Sequence, residues 1–519
     1  MRELWISVDK YSNIPLHVQV SEAIKLIISK EMIGTGDAIP SSRLLAEQLD
    51  ISRTVVLQAY EQLQAEGFLT MKRGAGTFVT NPFEHHGGPD VAAAIETEIS
   101  YDDFTRIPTI ADNVHFPIED QDERSQQTII DFRHGIPAWG TFPMDKWKKA
   151  LMEACHMATP ETLSYGSAAG SQALLEEIAR LVRATRSIPA MPEQIVITTG
   201  ATQALDILAR MFLTKGEQVL VEDPTHPVLR EIFAYSGAEV IPVQVDQEGF
   251  CVKQLSEYRK KGKSSTKHKT PKLVYVTPSH QFPLGETMSL KRRVELLGWA
   301  RQTGAIIIED DYDSEYRYVG QKVSALAGLD SAGRVIYVGS FSKTLFPALR
   351  IGYAILPPAL IEPFLAIKCI TDRMTPTIEQ EALAEFIRGG QFAKHVHTMG
   401  KLYASRRKSL VSALEKHFGG RARCFGDEAG LHMLIEMDTR ASEGDIAERA
   451  KGYGVKVYPA SGYYIKNKPS NATFLLGYAN LSETDIYSGI KLVARAEKEL
   501  TSGEAGDAGK HTATIKRLK

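Results

Sequence analysis

The chain is short of cysteine, of net charge and of long apolar runs, and each shortage excludes something. Its four cysteines, Cys155, Cys251, Cys369 and Cys424, lie far apart in 519 residues and form no C-x-x-C pair. That spacing argues against a disulfide framework and against a zinc site, so they are expected as isolated core thiols. A formal net charge of -2 gives no global attraction to nucleic acid, and any such partner must be argued locally. No apolar run reaches the roughly 18 residues of a membrane span. The opening "MRELWISVDKYSNIP" also lacks the apolar centre of a signal peptide. A soluble, cytoplasmic protein with no membrane partner is expected. What the chain does have is apolar content, 43% of its residues, enough for a large core shared among about two to four domains.

Composition divides the chain. Residues 1–80 are mixed in character and read as one small domain. Residues 81–127 hold eleven Asp or Glu against two Arg and no Lys, with no sustained hydrophobic period. Such a stretch repels itself and is expected as an acidic flexible linker. Across 128–500 apolar runs of strand length alternate with longer helical patterns. The tail 501–519, "TSGEAGDAGKHTATIKRLK", has too little apolar content to pack and is expected to be disordered.

The first 80 residues carry a pattern of their own. Leu16, Val20, Ile24, Ile27 and Ile28 fall on one helical face. "PSSRLLAEQLD" reads as a short second helix, and "ISRTVVLQAYEQLQAEG" as a third with Ser52 as its N-cap and Val56, Ala59, Tyr60 and Leu63 facing inward. Only "LDI" separates them, which makes a helix-turn-helix. "FLTMKRGAGTFVT" then gives two strands around Gly74 and Gly76, a wing. Ser52, Arg53 and Thr54 sit where a recognition helix meets base edges or phosphates, with Arg43 on the preceding helix and Lys72 and Arg73 at the wing tip. A three-helix protein-interaction module remains the alternative, because this region holds eight basic against nine acidic residues. Four of the eight basics nevertheless lie on the elements expected to face DNA.

These residues resemble the DNA-binding head of the gluconate-repressor (GntR) family of bacterial regulators. The resemblance spans about residues 10–80. It implies that Arg43, Ser52, Arg53, Thr54, Arg73 and Gly74 contact double-stranded operator DNA.

The body is expected to be α/β. Seven apolar strands recur: "QIVITTG", "EQVLVED", "EVIPVQV", "KLVYVTP", "AIIIEDD", "RVIYVGS" and "RIGYAIL". Runs apolar throughout, interleaved with helices, imply a mainly parallel seven-stranded sheet covered on both faces, with ligands at the strand C-terminal ends. The chemistry-bearing motifs lie at those ends. "TTGATQALDILARMF" turns from a strand into a helix, so the backbone N–H groups near Ala201 and Thr202 suit a phosphate. "IIIEDDYDSEY" ends a strand with Asp310, Asp311 and Tyr312, a carboxylate and a phenol suited to a pyridine nitrogen and a ring oxygen. A solvated acidic loop or a metal site reads that stretch equally well in isolation. "GSFSKTLFPALRIGY" supplies Lys343, an amine able to form a Schiff base, with Ser340, Ser342 and Arg350 as phosphate ligands. Three such motifs in this order point jointly to pyridoxal 5'-phosphate.

From about Ile129 to Ala496 the chain resembles the fold-type I aminotransferases, with a small C-terminal α+β subdomain. Joined to the head, the whole resembles the MocR subfamily of GntR regulators. The resemblance implies that Lys343 carries the cofactor, Asp310 pairs the ring nitrogen, Tyr312 meets the ring hydroxyl, and Ala201, Thr202, Ser340, Ser342 and Arg350 hold the phosphate. It implies a homodimer in which Tyr165 reaches the partner's phosphate. His226 stands where an aromatic residue stacks on the ring, and His280 and Gln281 occupy the stretch of a further cofactor contact. No metal ligand is implied.

Two departures bear on function. Leu475 replaces the arginine that clamps a substrate carboxylate, and Val228 replaces a second arginine found in some regulators of the subfamily. Arg133 and Arg230 are candidate substitutes. Ordinary transamination is therefore disfavoured, and the expected function is a regulator that senses pyridoxal phosphate and an amine or amino-acid effector by changing the spacing of two heads on DNA. An active aminotransferase carrying a DNA-binding head, and a DNA-binding dimer with a vestigial cofactor site, remain as alternatives. A basic run, Arg259, Lys260, Lys261, Lys263, Lys267 and Lys269, reads as a solvated loop or as extra phosphate contacts.

Overall fold

The computed structural model describes residues 6–12, 14–29, 32–72, 76–80, 130–258, 270–320 and 324–502. Arg73 and Gly74, the acidic stretch 81–127, the basic run 259–269 and the tail from 503 lie outside these residues. Two compact units divide the chain, Met1–Thr105 and Arg106–Lys519.

In the first unit, α1 (Leu16–Ser29), α2 (Ser42–Gln48) and α3 (Arg53–Ala65) are followed by β1 (Leu69–Lys72) and β2 (Gly76–Val79). The α1 stripe packs as its spacing requires, with Val20, Ile24 and Ile28 buried against Leu45, Val56, Tyr60 and Leu63. Leu16 and Ile27 flank that stripe and are only half-buried. Ser41 and Ser52 cap α2 and α3, accepting from the N–H groups of Leu44 and Val55. The turn between them closes through Asp50 at φ 51, a left-handed conformation that Asp tolerates better than most residues. Tyr60 donates its hydroxyl hydrogen to the Pro40 carbonyl at 2.7 Å and so fixes α3 to the start of α2. β1 and β2 pair antiparallel, Leu69 opposite Val79 and Lys72 opposite Gly76.

The second unit is built on β4 (Ile195–Thr198), β5 (Gln218–Asp223), β6 (Glu239–Asp246), β7 (Gly249–Phe250), β8 (Leu273–Val276), β9 (Ile306–Asp311), β10 (Val335–Ser340) and β11 (Gly352–Ile355). Their order is β4-β11-β10-β9-β8-β5-β6-β7. All seven expected strands are present, and the sheet is mainly parallel, with β11 antiparallel to both neighbours. The eighth strand corrects the expected count of seven. β7 is a two-residue hairpin return antiparallel to β6, too short to show any period. Strands β4, β5, β8 and β9 are buried along their whole length, which is why their apolar runs do not alternate with polar residues. Each fully buried Val or Ile there contributes about 1.5–3 kcal/mol.

A smaller antiparallel sheet of β12 (Ala422–Phe425), β13 (His432–Met437), β15 (Tyr458–Pro459) and β16 (Ala472–Gly477) has the order β12-β13-β16-β15. Helices Gln391–Phe418 and Glu483–Thr501 cover it. The latter ends one residue beyond the expected boundary at 500. The segment that opens the body is tied to this sheet: β3 (Ile130–Asp131) pairs with β14 (Val455–Lys456), and Gly477 N donates to Phe132 O at 2.8 Å. Gly477 must lack a Cβ, which would lie 2.2 Å from the Arg133 carbonyl oxygen. This docking carries residues 133–135 to the C-terminal ends of the large sheet.

The expectation of core thiols is not met. Cys155 and Cys369 are exposed, and Cys251 and Cys424 are half-buried. A single cysteine on an amphipathic helix carries no sign of which face it takes: Cys155 stands next to buried Ala154 but points outward. Among the described residues no helix is long and apolar enough to cross a membrane.

Candidate functional site

The site is assembled by the turns that leave the large sheet. After β4, Thr199 stands at the N-cap position of helix Gly200–Phe212 without a side-chain capping bond, and Gly200 takes φ +75. A Cβ at Gly200 would lie 2.9 Å from Arg350 Nη2, so glycine is what lets the guanidinium rest against the helix start. Arg350, at φ 51, donates to the Thr199 carbonyl at 3.1 Å. Ala201 and Thr202 occupy the first helical turn, whose N–H groups have no intrahelical acceptor. Behind the turn, Gln203 accepts from Thr199 N at 2.7 Å and donates to Asp372 at 2.7 Å, and buried Lys368 anchors Asp372 at 2.9 Å. Ser340 donates to Ser342 Oγ at 3.0 Å while accepting from Ser342 N at 3.1 Å. Two hydroxyls, a guanidinium and a helix N-terminus therefore converge.

β9 separates its two terminal carboxylates by strand alternation. Asp311 turns to buried Arg186 at 2.8 Å and to the Tyr337 hydroxyl at 2.7 Å. Asp310, on the other face, accepts the Tyr275 hydroxyl at 2.7 Å through Oδ2, while its Oδ1 is buried with no hydrogen-bond partner. Burial pushes its carboxyl up to about 6. Asp311 is thus neutralised by an arginine, and Asp310 is left aimed at a missing donor.

Lys343 lies between these groups, after β10. Its ammonium donates to the Gly135 carbonyl at 2.8 Å. Burial lowers its pKa, with Arg350 in the same direction and Asp313 and Asp310 opposing. A Cβ at Gly135, which has φ +73, would sit 2.5 Å from Nζ, so the docked 133–135 segment approaches the amine as closely as a glycine allows.

Four histidines and a phenylalanine form the wall beside Lys343, and the resemblance singled out only two of the five, His226 and His280. Phe282 has ring centroids of His134 at 5.6 Å, His226 at 5.3 Å, His432 at 5.3 Å and Tyr463 at 5.4 Å around it. His226, the expected ring-stacking residue, is half-buried and caps helix Pro227–Tyr235 by accepting from Val228 N at 3.3 Å. Burial and Lys343 push its pKa down to about 4. His280 holds both oxygens of Asp313, at 2.9 and 3.1 Å, and Tyr312 Oη lies 3.1 Å from the same ring nitrogen. Gln281 points elsewhere: its amide donates to Pro224 O at 2.8 Å, Phe282 O at 2.7 Å and Glu222 at 3.3 Å. It fixes the loop rather than facing Lys343. Tyr165 is exposed, with the Arg373 guanidinium 5.2 Å from its ring centre.

Leu475 is fully buried with Phe282, Leu434 and Ala460, so where a guanidinium fork would stand there is hydrocarbon. Val228 is half-buried. Arg133 is engaged by Tyr458 at 3.1 Å and Asp131 at 3.6 Å. Arg230 is half-buried and donates to the Gly462 carbonyl at 3.1 Å. Among the described residues no cluster of His, Cys, Asp or Glu is arranged to hold a metal ion.

The head has its own candidate surface. Arg43, Ser52, Arg53, Thr54 and Lys72 are exposed. Arg53 donates through Nε to Ser42 Oγ at 3.2 Å, which ties the start of α3 to α2. The Ser52 hydroxyl is engaged as the cap of α3.

Fold and site together define a class: a winged helix-turn-helix joined to a pyridoxal-phosphate-type aminotransferase body. The family model for aminotransferase class I and II matches residues 127–484, and that for bacterial regulatory proteins of the gntR family matches residues 16–79. The chain belongs to the MocR-type GntR regulators, in which these two domains are fused. It is 37% identical to the HTH-type transcriptional regulator YdeL of Bacillus subtilis, over 94% of this chain and 97% of that one. It is 32% identical to the probable rhizopine catabolism regulatory protein MocR of Rhizobium meliloti, over 96% of this chain and 97% of that one. The kynurenine aminotransferase of Pyrococcus horikoshii superposes with a TM-score of 0.66 at 29% identity, covering 81% of this chain and 98% of that one.

Proposed function

We propose that the chain is a transcriptional regulator that binds operator DNA through residues 1–80 and pyridoxal 5'-phosphate through residues 128–500. The acidic stretch 81–127 would join the two. The residues present fit the cofactor. Asp310 Oδ1 is a buried acceptor without a donor, which a protonated ring nitrogen would supply. Gly200 leaves open the space against Arg350 that a Cβ would fill. Bound here, the cofactor supplies an electrophilic carbonyl and an electron-withdrawing ring.

The chain's own groups divide the remaining work. Lys343, its ammonium disfavoured by burial, offers the amine. Asp310 balances charge at the ring nitrogen, and Tyr312 donates to the ring oxygen. Ala201, Thr202, Ser340, Ser342 and Arg350 hold the phosphate, while His226 and Phe282 cover the ring and exclude water. The observation that carries the proposal over an active aminotransferase is Leu475, which leaves the site complete toward the cofactor and apolar where a substrate carboxylate would be clamped. A homodimer fits exposed Tyr165 together with exposed Leu163 and Ile370, and the expected location is the cytoplasm.

The test has two readings. Pure protein with pyridoxal phosphate should show a visible absorption band and, after borohydride, a mass gain on Lys343. Its footprint on upstream DNA should change in occupancy or spacing when the cofactor or an amine is added. No band together with no mass gain rejects the cofactor site, and an unchanged footprint rejects the sensor.

A further inference from the structure

One helix holds both sides of the Lys343–Gly135 hydrogen bond. In helix Gln391–Phe418 the residues His395, Met399 and Tyr403 recur at every fourth position, so they share one face, and all three are buried. His395 Nε2 lies 3.0 Å from the Thr344 carbonyl oxygen. A carbonyl can only accept, so this nitrogen carries a proton whether the ring is neutral or charged. The Tyr316 hydroxyl reaches the same oxygen only at 3.5 Å, which leaves His395 as its main donor. Phe142 stands edge-on to the imidazole, ring centroids 5.4 Å apart, and limits its rotation. Two turns along the helix, Tyr403 Oη accepts from Ala138 N at 3.0 Å. Between the two, Met399 Sδ accepts from the Thr141 hydroxyl at 3.2 Å.

Thr344 directly follows Lys343. Ala138 lies three residues beyond Gly135, whose carbonyl accepts from Lys343 Nζ at 2.8 Å. The amine and its acceptor therefore hang from anchors about 12 Å apart on one rigid helix, and neither segment can shift without disturbing the other. Lysine reaches its target on a flexible four-carbon stem, so the place of its nitrogen is only as well defined as the backbone at its root and the group at its tip. A nitrogen that must meet a carbon at about 3–3.5 Å is sensitive to displacements well below that distance.

We infer that His395 is a positioning residue for Lys343, setting the reach of its amine by donating to the Thr344 carbonyl, while Tyr403 on the same helix face sets Gly135 against it. This rests on the cofactor-binding reading of the body. The step it prepares is the joining of Lys343 to an aldehyde: the amine nitrogen forms a double bond to the aldehyde carbon, and the aldehyde oxygen leaves as water with the amine's two hydrogens. His395 acts on that step through Thr344 alone. A ligand that makes the same ring and phosphate contacts but forms no bond to Lys343 is indifferent to it.

The test uses the full chain and two probes, pyridoxal 5'-phosphate and pyridoxamine 5'-phosphate, which share ring, hydroxyl and phosphate but of which only the first carries an aldehyde. Both are titrated by calorimetry, and the first also by its visible band. His395→Phe, which keeps a ring and removes the donor, should weaken pyridoxal phosphate by about tenfold, roughly 1.4 kcal/mol, and change pyridoxamine phosphate by less than about twofold. His395→Gln, whose amide can donate to the same carbonyl, should bring pyridoxal phosphate back to within about threefold of the parent. Tyr403→Phe removes one oxygen only and should show the same selective loss, so it carries the test where His395→Phe does not fold. Equal weakening of both probes makes these residues structural anchors and overturns the inference. An unchanged pyridoxal phosphate affinity in either folded phenylalanine variant overturns it too, as does a selective loss that His395→Gln leaves in full. Failure of the unaltered protein to bind either probe is a different result, because it rejects the proposed function itself.

Discussion

Asp310→Asn separates the cost of the empty site from the gain on filling it. The folded protein buries this carboxylate with one hydroxyl donor, from Tyr275, and an empty Oδ1. Its pKa rises from 3.8 to about 6, which corresponds to about 3 kcal/mol of lost stability once the group is ionised. The sign follows from linkage: a carboxyl whose folded pKa is raised holds its proton more tightly when folded, so stability is lost as pH rises from about 4 through about 6 and stays lost above. An asparagine keeps an oxygen for Tyr275 and removes the charge. Without cofactor, the variant should therefore be more stable than the parent at pH 8, by up to about 3 kcal/mol, and equal to it near pH 3. With cofactor the order should invert, because the charged carboxylate then has its cation and charge-assisted bonds of this kind contribute about 1.5–3 kcal/mol. Pyridoxal phosphate affinity should fall by about tenfold to a hundredfold. Denaturant unfolding at pH 3 and 8, with and without cofactor, reads all four numbers. A variant destabilised equally in both states at pH 8 would refute the assignment of Asp310 as a cofactor-waiting charge and leave it a structural residue.

Three further outcomes follow from particular contacts. Gly200→Ala forces a β-carbon to within 2.9 Å of Arg350 Nη2 at φ +75; a left-handed alanine costs about 1–2 kcal/mol, the guanidinium must swing away, and cofactor affinity measured from the visible band should drop about tenfold, an unchanged affinity contradicting the phosphate cradle. Arg53→Ala should weaken operator binding by about 1–3 kcal/mol; anisotropy across salt concentrations and across operator variants tells a phosphate contact, which lowers the salt slope, from a base contact, which relaxes specificity, and no change at all removes α3 as the reading helix. Glu222, raised from 4.5 to about 7 by burial, gives the same sign as Asp310: Glu222→Gln should stabilise the protein above pH 7 by about 3 kcal/mol and leave it unchanged near pH 4, and an advantage that grows toward acid pH would contradict the burial argument.

How much of this was legible in the sequence depends on the range over which each feature is encoded. The strands of the large sheet, the capping serines of the head and the buried face of α3 are local: period, cap and turn residues sit within a dozen positions. Lys343, Asp310, Ala201 and Arg350 could be named because each lies at a strand end, where an α/β sheet must place its ligands. The choice between Asp310 and Asp311 was not local. Alternation along β9 puts them on opposite faces, but only Arg186, more than a hundred residues upstream, shows which one is already neutralised. The histidine wall was out of reach for the same reason. His134 enters with a segment docked onto β16, His432 begins β13 of the other sheet, and His280 follows β8, so no window of the chain holds two of them. Their chemical meaning depends on a still less local fact, the identity of the atom behind each ring. Asp313 stands behind His280 from the loop after β9, and the Pro283 backbone stands behind His432 from the loop after β8, so neither partner falls within a local pattern.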